Sequence, residues 1–283
     1  MWDGDMSKKV IDVESGSTVY AVDVSPNSTR FATGTRNEAS VWSISSGERL
    51  VGPLKHDNWV AGVRFSPTGE HFATFCHSHA ICVFDSQTGD KLLTIKAPIL
   101  QKVPVTPLVW SSDAQQIFVA SNNKVGSFSI ATGSLLAESQ IHHYRKNDIH
   151  SIALAANNKF IATTGDHSIS FFDTSTLTQI GPVIEDSDRR LASIAISADS
   201  SHLATGRSDG KIIIRDLSKI LPDSYGPFHV STCAFIISAC QVISIPPPMV
   251  IKLHRHLLTM KCDKRNSLSN RETTMEKHQT PLQ

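Results

Sequence analysis

Cysteine and histidine residues lie close together in one short segment, where their side chains suggest metal binding. Cys76 and Cys82 flank a predicted turn that carries His77 and His79. Thiolate and imidazole are common zinc ligands, but zinc sites take four ligands in spacings such as C-x₂-C with a distant second pair. This segment has neither feature. We interpret it as a polar turn between two buried thiols, and we predict no metal site.

Some acidic and histidine side chains could in principle take part in catalysis. The acidic and histidine candidates are single residues scattered along the chain: Asp23, Asp113, Asp148 and His150. No G-x-S-x-G or H-E-x-x-H pattern accompanies them. The segment GRSDGK is one residue short of a phosphate-binding loop, and Ile212 follows it where a Ser or Thr must reach magnesium. We predict that the chain is not an enzyme and takes no cofactor.

The composition is that of a globular protein without a strong charge bias. Among 283 residues, 27 Lys and Arg balance 26 Asp and Glu, which leaves no basic excess for nucleic acid. Five scattered cysteines and the lack of a secretory signal predict a cytoplasmic or nuclear protein. The apolar run 228–245 is at the lower limit of membrane-spanning length, and we favour a buried or divergent tail over an anchor.

A sequence repeat predicts which structural elements position these residues. An apolar strand, a small polar turn and a strand that mostly ends in Ala-Thr recur five times. The second turn residue of each unit is Pro26, Pro67, Ser112, Ala156 and Ala198, so the period is 41 to 45 residues. Alternating apolar residues and Gly, Asn and Asp turns predict short antiparallel strands. The first strands of successive units are predicted at 19–24, 60–65, 105–110, 149–154 and 191–196.

A second marker keeps the same period. A strand in each unit ends on a large residue followed by a polar one, as in Trp42-Ser43 and Phe84-Asp85. A turn glycine follows the large residue by five positions in the first three units, and Leu177 replaces it in the fourth. A four-stranded sheet of this kind buries its faces only against its neighbours, so radial stacking of such sheets is predicted.

The phrases S-P-x-G, L-A-T-G, W-D and T-G resemble the WD-repeat (WD40) family across residues 1–225. The resemblance implies an all-β propeller with five four-stranded blades and an N-terminal partial blade, in an incomplete ring. It also implies a structural network of His, Ser or Thr, turn Asp and Trp in each blade, which no single unit here holds complete. The matching positions are Trp42, Thr33, His56, Thr74, Thr163, Asp166, Thr205 and Asp209.

Loops before the first strands carry side chains that are typical of protein interfaces. These residues are Trp59, Tyr144, Arg145, Arg189 and Arg190. In a propeller such loops reach one common face, and Tyr, Trp and Arg most often anchor interfaces. We predict that a protein or peptide of unknown identity docks there. The competing interpretation is solvated loop charge, with Trp59 packed over its own blade.

The ends of the chain depart from the period. After Leu217 the repeat fails, and residues 226–283 are predicted to be a divergent, partly disordered tail. Trp2-Asp3 reads as the end of an earlier unit, and residues 9–13 read as a fourth strand without its own blade. Either 9–13 pairs with 211–216 and closes a five-bladed ring, or the ring stays open. We favour the open ring, whose exposed strand edges predict self-association.

Function is predicted at the level of a class. The resemblance implies a non-catalytic scaffold for a protein partner. The outer-strand phrases RLVGPLKH and QIGPVI are similar to repeat arrays attached to nucleotide-binding oligomerisation (NACHT or NB-ARC type) receptors. The alternative is therefore a ligand-sensing, autoinhibitory array within a larger receptor. A propeller enzyme is the third interpretation, because the fold alone does not exclude one.

Overall fold

The computed structural model describes residues 11–78, 80–96, 108–121, 123–141, 149–165, 167–186 and 190–226, and the backbone of three short strands near the C-terminus. Apart from two single-turn 3₁₀ segments, the described residues form strands and their connections, with no α-helix. No helix in this described part of the chain is long and apolar enough to span a membrane. The predicted all-β fold class is confirmed.

Five antiparallel sheets of four strands follow one another along the chain, and we call them blades I to V. In chain order the strands are β1 (Ala21–Val24), β2 (Arg30–Gly34), β3 (Glu38–Ser43), β4 (Arg49–Lys55), β5 (Val60–Phe65), β6 (His71–Cys76), β7 (Ala80–Asp85), β8 (Lys91–Lys96), β9 (Leu108–Trp110), β10 (Gln116–Ser121), β11 (Lys124–Ser129), β12 (Leu135–Gln140), β13 (Ser151–Leu154), β14 (Phe160–Thr164), β15 (Ser168–Asp173), β16 (Gln179–Glu185), β17 (Leu191–Ile196), β18 (His202–Arg207), β19 (Ile212–Asp216), β20 (Cys233–Ile236), β21 (Leu257–Met260) and β22 (Thr273–Thr274). Blades I to IV each use four consecutive strands, whereas blade V joins β17, β18 and β19 to β22. Strands β20 and β21 pair with each other. All five first strands lie within the windows that the repeat predicts.

The first strand of each blade is its inner strand. Between neighbouring blades, β1 packs against β5, β5 against β9, β9 against β13 and β13 against β17. Each junction between consecutive blades in the described part is filled by a cluster of buried apolar side chains. In blade II, Val63, Phe72 and Phe84 face blade I, whereas Phe75 and Ile81 face blade III. Alternation along each strand therefore buries both faces of the sheet, as a stacked array requires.

The turn between the third and fourth strands explains the second sequence marker. Asp85 follows the large Phe84, and its carboxylate accepts hydrogen bonds from the backbone N–H groups of Thr88 and Gln87, both at 2.8 Å. These bonds hold the pKa of Asp85 below its ordinary value. The next marker residue, Gly89, has φ +79° and lies against the outer strand of blade I. A Cβ atom there would stand 2.6 Å from Val51 Cγ1.

Leu177 shows how blade IV does without the turn glycine. It adopts φ +52°, a conformation that glycine tolerates best, yet its side chain is fully buried at the junction between blades III and IV. The outer-strand residue of blade III at this junction is Ala137, where blade I has Val51 and blade II has Leu93. The smaller alanine leaves room for the leucine. Burial of Leu177 therefore offsets the conformational cost of its backbone.

The two ends of the described array are built differently from the middle. A Cβ atom on Gly47 of blade I would stand 2.8 Å from Ile11 Cδ1, so residues 11–13 lie where the outer strand of a preceding blade would lie. At the other end, β19 pairs with β22 and not with residues 11–13. Contacts between blades run in chain order, and in the described residues blade V does not pack extensively on blade I.

Candidate functional site

Four side chains stand directly before the inner strands at the same edge of the array, although the inner strands of blades II and V begin two residues earlier relative to their turns than those of blades I and IV. The residue directly before the inner strand is Tyr20 in blade I, Trp59 in blade II, His150 in blade IV and Arg190 in blade V. The corresponding residue of blade III lies outside the described part. We call these four residues the inner row. Two of them, Trp59 and Arg190, are predicted binding residues, whereas Tyr20 and the role of His150 were missed.

The backbone of each inner-row residue is anchored to its own blade. The N–H groups of Tyr20 and His150 donate to the carbonyl oxygens of Gly34 and Thr164, each at 2.8 Å. The carbonyl oxygens of Trp59 and Arg190 accept from the N–H groups of His77, at 2.8 Å, and Ser208, at 2.9 Å. Because these bonds continue the strand ladders, the side chains project from a fixed backbone.

The blade I and II end of the inner row is aromatic. The rings of Tyr20 and Trp59 stack at 5.1 Å between centroids with an interplanar angle of 10°. His77 meets Trp59 nearly edge-on, at 5.5 Å and 73°. Trp59 nevertheless keeps 40% of its surface exposed. A large apolar ring that is held in place and half-open to solvent is typical of an interface anchor.

A close approach of two blades makes this stacking possible. Val60 donates its N–H to the carbonyl oxygen of Thr35 in blade I, at 2.9 Å. Directly beside that bond, a Cβ atom on Gly34 would stand 2.7 Å from Val60 Cγ1 and 2.9 Å from its carbonyl oxygen. Gly34 is therefore required by close packing and not by a turn, and it sets the distance between Tyr20 and Trp59.

The blade IV and V end of the inner row is cationic. Arg190 is exposed, and its Nε lies 2.9 Å from Nε2 of His150 while Nη2 lies 3.0 Å from Nδ1. A guanidinium only donates and an imidazole has at most one acceptor nitrogen, so one of these two contacts is a hydrogen bond and the other is a close approach of two N–H groups. His150 itself is 5% exposed. The buried imidazole thus contacts one edge of the exposed guanidinium and holds it in place.

Four of the predicted residues lie outside the described part of the chain. Tyr144, Arg145 and Arg189 belong to the loops before β13 and β17, and Asp166 belongs to the turn after β14. Their roles stay predictions. The candidate membrane segment 228–245 also lies outside it, except for the backbone of β20.

The predicted structural residues of blades I and II form parts of the family network. Trp42 Nε1 donates to Thr33 Oγ1 at 2.8 Å in the interior of blade I. In blade II, His56 Nε2 lies 3.4 Å from Thr74 Oγ1, and the imidazole meets the Phe84 ring edge-on at 5.8 Å. Burial, assisted by the positive charge of Lys91, lowers the pKa of His56 to about 4. His56 is therefore neutral at ordinary pH.

Blade V replaces the histidine and the tryptophan of the network by charged residues. Asp186 directly follows the outer strand of blade IV, as His56 follows that of blade I, and Arg215 stands where blade I has Trp42. Asp186 accepts from Arg207 Nη1 at 3.0 Å and from Arg215 Nη2 at 3.3 Å. Arg215 Nη1 also donates to Thr205 Oγ1 at 2.9 Å. Sequence reasoning missed Asp186, because the family pattern expects a histidine directly after the outer strand.

Thr163 and Asp209 make simpler contacts. Thr163 Oγ1 donates to the carbonyl oxygen of Ser170 at 3.5 Å. In this blade the network positions of histidine and tryptophan are taken by the apolar Ile141 and Phe172. Asp209 accepts from the N–H of Lys211 at 3.2 Å and pairs with Arg207 Nη2 at 3.2 Å. Thr205 Oγ1 thus accepts from Arg215 and donates to the carbonyl oxygen of Ile213 at 3.5 Å, while Asp209 bonds its own turn.

The cysteine and histidine segment has no metal geometry in the described part of the chain, which includes Cys76, His77 and Cys82 but not His79. Both cysteines are buried free thiols. Burial raises the pKa of the Cys82 thiol. His77 contacts Trp59 instead, which places it in the aromatic end of the inner row.

Exposed leucines form the second feature that an interface could use. Leu50, Leu92 and Leu136 stand on the outer strands of the first three blades, each where the pairing with the third strand shifts register. About half of each side chain is exposed. Single exposed leucines are normal on soluble proteins. The inner row is the stronger candidate because its side chains contact each other across blades.

Comparison with known proteins agrees with this geometry. The family model for the WD domain, G-beta repeat (WD40) matches residues 48–85, 131–173 and 183–216. Autophagy-related protein 16 of Arabidopsis thaliana is 28% identical over 77% of this chain and 43% of its own length. WD repeat-containing protein 1 of Gallus gallus is 24% identical over 57% of this chain and 27% of its own length. The chain thus spans less than half the length of these relatives.

The matched ranges follow the blades with an offset of one strand. Residues 48–85 run from the end of blade I through the third strand of blade II, and 183–216 end with the third strand of blade V. Repeats defined by sequence are therefore offset from blades by one outer strand, which links neighbouring blades. WD40 repeats are thus recognised in three stretches of the chain, and the five four-stranded sheets are consistent with blades of a WD40 β-propeller.

Proposed function

We propose that this chain is a non-catalytic scaffold that docks a protein or peptide on the face that carries the inner row. The observation that supports this most directly is the half-exposed Trp59, stacked on Tyr20 and braced by His77. Interface energy concentrates in a few Trp, Tyr and Arg anchors. We also place Tyr144, Arg145 and Arg189 on this face, as the sequence predicts, and the protein in the cytoplasm or nucleus.

The charge distribution of the inner row supports a protein partner better than a catalytic role. Arg190 and His150 form the cationic end, where the guanidinium contacts the imidazole. The carboxylates of Asp23 and Asp186 are committed to arginines at the blade junctions. A reaction centre needs an acid, a base or a nucleophile directed at one point.

Affinity capture with variants tests the docking face. Each of Trp59, Tyr144, Arg145, Arg189 and Arg190 is replaced singly by Ala, and retained proteins are compared by mass spectrometry. We expect at least one variant to lose more than about 2 kcal/mol of binding free energy for the captured partner. Lys219→Ala is the matched control, because Lys219 is exposed at the far end of blade V, after β19. Capture that survives all five replacements contradicts the proposal.

The runner-up is a ligand-sensing, autoinhibitory array within a larger nucleotide-binding receptor. It is favoured by the outer-strand phrases with Gly52-Pro53 and Gly181-Pro182, which lie in β4 and β16. Finding a nucleotide-binding domain encoded upstream of this chain would support this second function over the first. Docking on the inner row is compatible with both functions, because an autoinhibitory array also binds a protein surface.

A further inference from the structure

Most arginines near the blade junctions have carboxylate partners within the protein. Arg207 and Arg215 share Asp186, and Arg64 pairs with Asp23. Arg190 differs from them, because in the described part of the chain its side chain contacts only the imidazole of His150. An exposed guanidinium that contacts no carboxylate among the described residues has its positive charge available to another molecule.

The geometry shows which donors of Arg190 are available. A guanidinium has five N–H donors arranged along two edges. The edge formed by Nε and Nη2 faces His150 at 2.9 and 3.0 Å. The other edge, formed by Nη1 and Nη2, has no acceptor among the described residues. Two parallel N–H groups on that edge match the two oxygens of a carboxylate.

We propose that the partner places a carboxylate of an acidic segment, an Asp or Glu side chain, on the free edge of Arg190. This rests on the proposed docking function and adds the chemistry of the partner. Trp59, at the other end of the inner row, takes an apolar group of the same partner. Among the described residues this end of the inner row has one guanidinium beside an imidazole, which matches the single charge of a carboxylate, and the phosphoserine peptide below tests the alternative of a phosphate.

A peptide selection tests the proposal without a known partner. The full chain is used to select from a displayed library of random dodecapeptides, in parallel with the variants Arg190→Gln, Arg190→Lys, Trp59→Ala and Lys219→Ala. Thermal unfolding confirms that each variant is folded. One selected peptide is then synthesised in three forms, with Glu, Gln or phosphoserine at its acidic position, and the three affinities are measured.

We expect Asp and Glu to be enriched over Asn and Gln with the wild type and with Lys219→Ala. Exchange of Glu for Gln in the peptide should weaken binding about tenfold, as for a lost charge-assisted hydrogen bond. Arg190→Gln should abolish this difference, and Arg190→Lys should keep part of it, because lysine keeps the charge but not the fork. The phosphoserine form should bind no better than the Glu form.

The possible failures are distinguishable. If acidic enrichment persists in Arg190→Gln, or if no enrichment occurs, the carboxylate proposal is overturned. The docking function still stands in that case when Trp59→Ala loses the selected peptides. If neither Trp59→Ala nor Arg190→Gln changes the selection, or no peptide is selected, both proposals fail. Stronger binding of the phosphoserine form assigns the site to phosphopeptides and overturns the choice of carboxylate.

Discussion

Asp186 gives the sharpest test of how blade V is held together. Its carboxylate is 8% exposed and accepts from two arginines, at 3.0 Å from Arg207 and 3.3 Å from Arg215. Asp186→Ala leaves two largely buried guanidinium groups without this partner. Removing one partner of a buried ion pair costs about 3–5 kcal/mol. Arg207 keeps Asp209, and Arg215 keeps Thr205, so we expect a loss near the lower limit, about 3 kcal/mol.

Urea unfolding followed by circular dichroism at pH 7 measures this loss. Lys55→Ala is the matched control, because Lys55 pairs with Glu38 at 2.9 Å on the surface. A surface pair contributes about 0–1 kcal/mol, and salt screens it. The loss in Asp186→Ala should therefore exceed that of the control and change little in high salt. Equal losses in the two variants refute the assignment of a buried network.

A double replacement tests the equivalence between blades. Asp186→His and Arg215→Trp together introduce the residue types that occupy these positions as His56 and Trp42. Asp186→His removes the carboxylate that both arginines share, and Arg215→Trp leaves Asp186 with Arg207 alone, so each single replacement should destabilise the protein. The double variant removes both charges, so we expect it to recover more than about 1 kcal/mol relative to the less stable single variant. No recovery contradicts the positional equivalence.

Four further outcomes are expected. Asp209→Ala should lower the free energy of unfolding by about 1–2 kcal/mol, as for a lost turn hydrogen bond, and an unchanged melting curve contradicts this role. The pKa of His56 is about 4 in the folded chain, below its unfolded value, so stability should fall by about 3 kcal/mol from pH 6.5 to pH 4; a His56→Gln profile identical to the wild type refutes this. Gly34→Ala should cost about 1–3 kcal/mol by overpacking against Val60 and should change the fluorescence of Trp59; a neutral result contradicts the close approach. Size-exclusion chromatography with light scattering on the full chain should show self-association that increases with concentration, and a stable monomer speaks for a closed ring.

The repeat made most of the fold predictable because each strand repeats the same local signals. The turn residues Pro26 and Pro67 and the large residues Trp42 and Phe84 fix strand ends without information from the rest of the chain. Leu177 shows the limit of this reasoning. Its positive φ follows from the marker position, but its burial depends on Ala137, which lies 40 residues earlier in another blade.

The candidate site was predictable only in part, because its contacts cross between blades. Trp59 and Arg190 were identified by residue type, but their partners Tyr20 and His150 come from neighbouring repeats. Asp186 was missed for a similar reason, since a family pattern that expects histidine gives no signal for a carboxylate. Its partner Arg215 was visible in the sequence only as a departure from tryptophan.

The structure separates residues that stabilise the blades from residues that present a surface. Network residues such as Thr33, Thr205 and Asp186 are buried, so their replacement changes stability. Trp59 and Arg190 are exposed, and backbone hydrogen bonds hold them in place. Their replacement should therefore change binding while stability stays within about 0.5 kcal/mol. Different side-chain pairs complete the buried network in different blades. The hydrogen bonds that hold the backbone before each inner strand are made by backbone atoms, so they do not constrain which residue stands in the inner row.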